Sequence, residues 1–119
     1  MALMAVAFPI VPGQRDAWDK FMAEINGPRK ADFAASRSRA GARERTFLQA
    51  TPMGDLVLVT IEADDPARAF GQIVSEKSAF MAWFLAQVKA IHGVDLSLPM
   101  HDAPSKMVVD SGAVAAIAR

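Results

Sequence analysis

The sequence predicts an α+β fold in which one antiparallel sheet carries its helices on one face and leaves the other face to a second subunit. Three observations predict it. Residues Leu56–Ile61 read as a strand that is apolar at both parities. Side chains on a strand alternate between faces, so Leu56, Leu58 and Thr60 point one way and Val57, Val59 and Ile61 the other. The strand is followed at once by Glu62-Ala63-Asp64-Asp65-Pro66, a strand stop joined to a helix start. The elements fall in the order strand, helix, strand, strand, helix, strand. Both faces of the Leu56–Ile61 strand need a cover, and a chain of 119 residues has limited material for two. The second cover is expected to be another copy of the chain.

At this length residues 1–119 read as one domain. With 52% hydrophobic and 22% charged residues there is enough apolar material for a core, which argues against disorder. Thirteen basic and thirteen acidic residues cancel, so no global charge points to nucleic acid. The absence of cysteine excludes disulfides, zinc–thiolate sites, iron–sulfur clusters and thiol catalysis, and fits a cytoplasmic protein. The apolar stretch Met1–Val11 lacks the basic region of a signal peptide. It is shorter than the roughly 20 residues of a membrane span and reads as a buried first strand.

Strand one is placed at Leu3–Val11. Pro9 has no amide to donate, so it marks a bulge or a free edge. After Pro12-Gly13, Trp18, Phe21, Met22 and Ile25 recur at the spacing of a helix stripe. Asp16 and Asp19 sit near the start of that helix, where its dipole favours negative charge. Asn26-Gly27-Pro28 breaks it. A second helical piece over Pro28–Ala40 has Phe33 as its only large apolar residue and stops at Gly41.

Strand two covers Arg45–Thr51, with Thr46, Leu48 and Ala50 on one face and Arg45, Phe47, Gln49 and Thr51 on the other. Thr51-Pro52-Met53-Gly54-Asp55 is a hairpin turn into strand three, Leu56–Ala63. Asp65 caps the next helix and Pro66 takes its first position. Phe70, Ile73 and Val74 form its stripe, and Ser75-Glu76-Lys77-Ser78 interrupts it. Ser78 caps a further helix to His92. Phe80, Met81, Phe84, Leu85, Val88 and Ile91 give that helix a broad core face, with Ala82, Ala86 and Ala90 opposite, the pattern of a helix buried on more than one side. Gly93 ends it. Val94–Pro104 is a loop, and Lys106–Ser111, centred on Met107, Val108 and Val109, reads as a short last strand. Gly112–Arg119 is an alanine-rich tail, either a frayed end or an arm lying on a partner.

This order is the ferredoxin-like βαββαβ arrangement, a four-stranded antiparallel sheet with its helices on one face. The strand-to-helix segment from Val57 to Phe70 and the helix end Ile91-His92-Gly93-Val94-Asp95-Leu96 are similar to the dimeric α/β-barrel superfamily. The resemblance spans most of residues 1–111, in element order more than in motif. It implies two sheets facing each other to form a barrel with helices outside. Members include cofactor-free monooxygenases, haem-degrading enzymes and stress-responsive proteins. Fold does not settle function.

Candidate residues divide by chemistry. His92, closing a helix beside Gly93, is the candidate general base; the competing reading is a helix-terminal histidine favoured by the dipole. Trp83 with His92 matches two of the three residues that the resemblance associates with haem degradation. The third, an Asn on the first strand, is missing, since the only Asn is Asn26. No haem or other cofactor is therefore expected. His101-Asp102 could bind a metal, but two histidines are thin for such a site, and an exposed turn is the preferred reading.

Arg29, Lys30, Arg37, Arg39, Arg43 and Arg45 put six of thirteen basic residues into seventeen positions. They read as a solvated face rather than an anion site, because they do not converge at helical pitch. Arg45 is the exception: with Gln49 it would supply polar groups to an apolar barrel, the make-up of a ligand pocket. Asp64-Asp65 are turn and cap residues.

The expected protein is thus a homodimeric barrel of unassigned activity, holding a small apolar or aromatic ligand through Arg45, Gln49 and Trp83. It has no nucleic-acid or membrane partner. The alternatives are a cofactor-independent monooxygenase or isomerase with His92 as base, and a structural or regulatory dimer with a filled barrel.

Overall fold

The computed structural model describes residues 2–98 and 105–112. Along the chain come β1 (Ala2–Pro9), α1 (Arg15–Asn26), α2 (Lys30–Arg39), β2 (Arg43–Thr51), β3 (Gly54–Ala63), α3 (Pro66–Val74) and α4 (Ala79–His92). The strands form one antiparallel sheet in the order β1-β3-β2. Because β1 and β2 both run antiparallel to β3, they are parallel to each other with β3 inserted between them.

The alternating side chains give the sheet two distinct faces. On one, Met4, Val6 and Phe8 of β1 lie beside Ile61, Val59 and Val57 of β3, which lie beside Glu44, Thr46 and Leu48 of β2. The helices pack here, and Val6, Phe8, Val57 and Ile61 join Trp18, Phe21, Ile73, Met81, Phe84, Val88 and Ile91 in a single core. On the other face the rows are Leu3–Glu62–Arg43, Ala5–Thr60–Arg45, Ala7–Leu58–Phe47 and Pro9–Leu56–Gln49. No helix of the described residues covers this face. Leu3 and Phe47 are 48% and 52% exposed there.

The helix boundaries follow their local chemistry. Asp65 accepts from the Arg68 amide at 3.2 Å and Pro66 opens α3. Ser78 accepts from the Met81 amide at 3.1 Å to cap α4. Gly93 ends α4 at φ +69°, a left-handed conformation that glycine adopts without a Cβ clash. A hydrogen bond from the Val11 amide to the Ile91 carbonyl, 2.9 Å, ties the chain after β1 to the end of α4.

Three expectations are corrected. Lys106–Ser111 is not a strand: this stretch is irregular and exposed, and makes no ladder with the sheet. Among the described residues the sheet is therefore three-stranded. Strand two begins at Arg43 rather than Arg45, because Arg43 and Glu44 still have partners in Glu62 and Ile61 of β3. The small-residue stripe Ala82, Ala86 and Ala90 faces solvent instead of a neighbouring element, so α4 is buried on one side in this chain.

Candidate functional site

Two polar groups interrupt the apolar layer between sheet and helices. The first begins with α2. Its single large apolar residue, Phe33, must face the core, and helical pitch carries Ser36 and Arg37, three and four residues on, to the same face. Glu44 shares the parity of Thr46 and Leu48, so it too faces the helices. The Arg37 and Glu44 side chains are 4% and 7% exposed. Arg37 Nε donates to Glu44 Oε1 at 2.8 Å, and Nη1 donates to Ser36 Oγ at 2.8 Å and to Met81 Sδ at 3.2 Å. The guanidinium carbon lies 4.6 Å from the ring centres of both Phe33 and Phe84. A buried charge is costly unless it is paired and hydrogen-bonded, and here both conditions are met.

The second group is His92, the last residue of α4. Its Nδ1 lies 2.9 Å from the Pro9 carbonyl oxygen. That oxygen can only accept, so Nδ1 carries the proton and donates. Burial pushes the imidazole pKa below its ordinary value, and the Pro9 carbonyl acts weakly in the opposite direction. The ring packs 5.4 Å from Phe8. His92 thus joins the end of β1 to the end of α4 as a neutral, buried donor.

A cavity of about 50 Å³ runs between the two groups, walled by residues such as Phe8, Val57, Ile61, Ile73 and Val88. Thr46 is its one exposed lining residue. Glu44 pairs with Ile61 and Phe8 with Val57. At about 3.3 Å per residue the polar ends are therefore about 13 Å apart along the sheet. The free space falls far short of the roughly 300–1,000 Å³ of a ligand pocket.

The expected site residues do not meet. Arg45 and Gln49 lie on the uncovered face of the sheet, while His92 lies on the helix face, so the sheet separates the expected base from its expected polar partners. Arg45 Nη2 is 3.6 Å from Glu62 Oε1 on its own face. Trp83 is nine residues before His92 on α4, which at about 3.6 residues per turn places it on the opposite side of the helix. It packs edge-on against Phe21 at 5.4 Å, with the Arg29 guanidinium 4.0 Å above its ring.

The basic cluster is dispersed among separate carboxylates: Arg29 pairs with Glu24, Arg37 with Glu44, Arg39 with Glu76 and Arg45 with Glu62. Arg37 corrects the expectation of a wholly solvated face. His101 and Asp102 lie outside the described residues, as does most of the alanine-rich tail. Among the described residues no group of three potential ligands is placed to hold a metal ion, and no helix is long and apolar enough to cross a membrane.

In the sequence, the only signal of the Arg37–Glu44 pair is the spacing of Phe33 and Arg37 and the parity of Glu44. No protein family, curated protein or solved structure matches the chain.

Proposed function

We propose that the protein works as a homodimer in which two copies of the uncovered sheet face meet and enclose a site for a small apolar or aromatic ligand. One observation carries this reading. Leu58 lies between Ala7 and an exposed Phe47 at the centre of a sheet face that the chain's own helices leave bare. Large exposed apolar patches mark interaction sites, and a two-fold dimer uses the same patch on both subunits. Completion of each sheet by a fourth strand, giving the ferredoxin-like βαββαβ arrangement, belongs to the same proposal, as does the dimeric α/β barrel.

Within that barrel Arg45 and Gln49 flank Phe47 two residues away on either side, on a face that also carries Arg43, Thr60 and Glu62. An apolar site with few polar groups takes a ligand such as an aromatic acid or carbonyl compound, with Arg45 on the oxygen atoms. The cavity between sheet and helices is too small for that role. His92, sealed against Phe8 and bound to Pro9, serves the fold better than it serves catalysis. A structural dimer with a filled barrel is distinguished by its failure to bind any such compound.

Sedimentation equilibrium tests the dimer. Thermal-shift titration with a set of small aromatic carboxylates, on wild type and Arg45→Met, tests the site. Stabilisation of the wild type that is lost in the variant is the expected result. No stabilisation by any compound leaves only the structural dimer.

A further inference from the structure

β1 is an edge strand, paired to β3 on one side only. Alternate residues of an antiparallel strand turn their backbone groups to the same side. The Ala5 carbonyl accepts from Ser105 Oγ and the Pro9 carbonyl from His92 Nδ1, so Leu3, Ala5, Ala7 and Pro9 carry the outward-facing groups. Pro9 has no amide and its carbonyl is engaged by His92. Ser105 engages only the Ala5 carbonyl; the other outward groups of Leu3–Ala7 pair with no strand among the described residues, and an open edge is a template for another strand.

A segment of strand-like sequence lies beside that edge without joining it. Met107, Val108 and Val109 are 58%, 81% and 83% exposed, immediately after the Ser105 contact. Those three residues make no ladder with the chain's own β1.

Area argues in the same direction. The shared stretch of the three strands measures about 23 by 14 Å from strand rise and spacing, a footprint of about 300 Å². A stable interface needs roughly 800 Å² from each partner. Two flat sheets alone fall short, and an exchanged apolar arm supplies further area.

We propose that Lys106–Ser111 is an exchanged strand. It adds to the Leu3–Ala7 edge of β1 in a second copy of the chain, and the second copy's segment adds to this one. The inference rests on the homodimer of the preceding subsection and specifies how that dimer is closed.

The chain has no cysteine, so an introduced pair reports without background. Ala5→Cys is combined in turn with Met107→Cys, Val108→Cys and Val109→Cys. Each double variant is oxidised at micromolar concentration and run without reductant, beside both single variants and a sedimentation measurement on the wild type. All four positions are exposed, so the core is left intact. Exchange predicts covalent dimers for at least one pair, well above the single-variant baseline. Disulfides closed within one chain overturn exchange but leave the facing-sheet dimer standing. A wild-type dimer with no disulfide at any of the three positions does the same. A wild type that sediments as a monomer overturns both readings.

Discussion

Arg37 Nε donates to Glu44 Oε1 across 2.8 Å, with both side chains almost sealed from solvent between α2 and β2. Removing one member of a buried pair strands the other charge, at a cost of about 3–5 kcal/mol, whereas replacing both with apolar groups of similar size is often neutral. Arg37→Met and Glu44→Leu are each expected to lower urea-unfolding stability by that amount, and the double variant by much less. Single losses under about 1 kcal/mol, or simple additivity, would show that the pair does not hold this corner of the core.

His92 gives the protein a pH dependence of definite sign. Burial lowers its pKa in the folded chain, so between that value and the ordinary value near 6.5 the unfolded chain binds more protons. Its contribution is full above about pH 6.5 and is lost as pH falls through the folded value. Urea midpoints from about pH 7 to about pH 5 should therefore decline less steeply in His92→Gln, which keeps a donor for Pro9 but does not titrate. Parallel profiles for the two proteins would rule this out.

Ser78 and Asp65 begin their helices with side-chain oxygens on the Met81 and Arg68 amides. Ser78→Ala and Asp65→Ala should each cost about 1 kcal/mol by chemical denaturation. Ser78 also donates to Glu76 Oε2 at 2.7 Å, so its replacement is expected to be the more damaging of the two. The reverse order would mean that the Glu76 contact adds nothing.

These caps were legible from sequence because Asp65-Pro66 and Ser78 act on their near neighbours. The two-sided character of β3 was legible for a similar reason, since alternation is local. Arg37–Glu44 carries a fainter signal: the spacing of Phe33 and Arg37 and the parity of Glu44 point to it only when β2 starts two residues early, at Arg43. The separation of His92 from Arg45 and Gln49 was hidden, because it depends on which face of the sheet the helices cover. Lys106–Ser111 has the composition of a strand, but a strand also needs a ladder partner, and this segment makes none with its own β1.

Phe47 offers the most direct view of the bare face. It is half exposed, opposite Leu58, and outside the core between sheet and helices. Phe47→Asp should therefore spare the fold of a single chain while placing two charges across the proposed interface, which is strongly unfavourable where they are desolvated.

Sedimentation equilibrium at micromolar concentration, on wild type and Phe47→Asp, tests the facing-sheet dimer most directly. A dimeric wild type and a folded, monomeric Phe47→Asp variant, with its circular dichroism retained, is the predicted result. A wild type that is monomeric and stably folded at that concentration would contradict it.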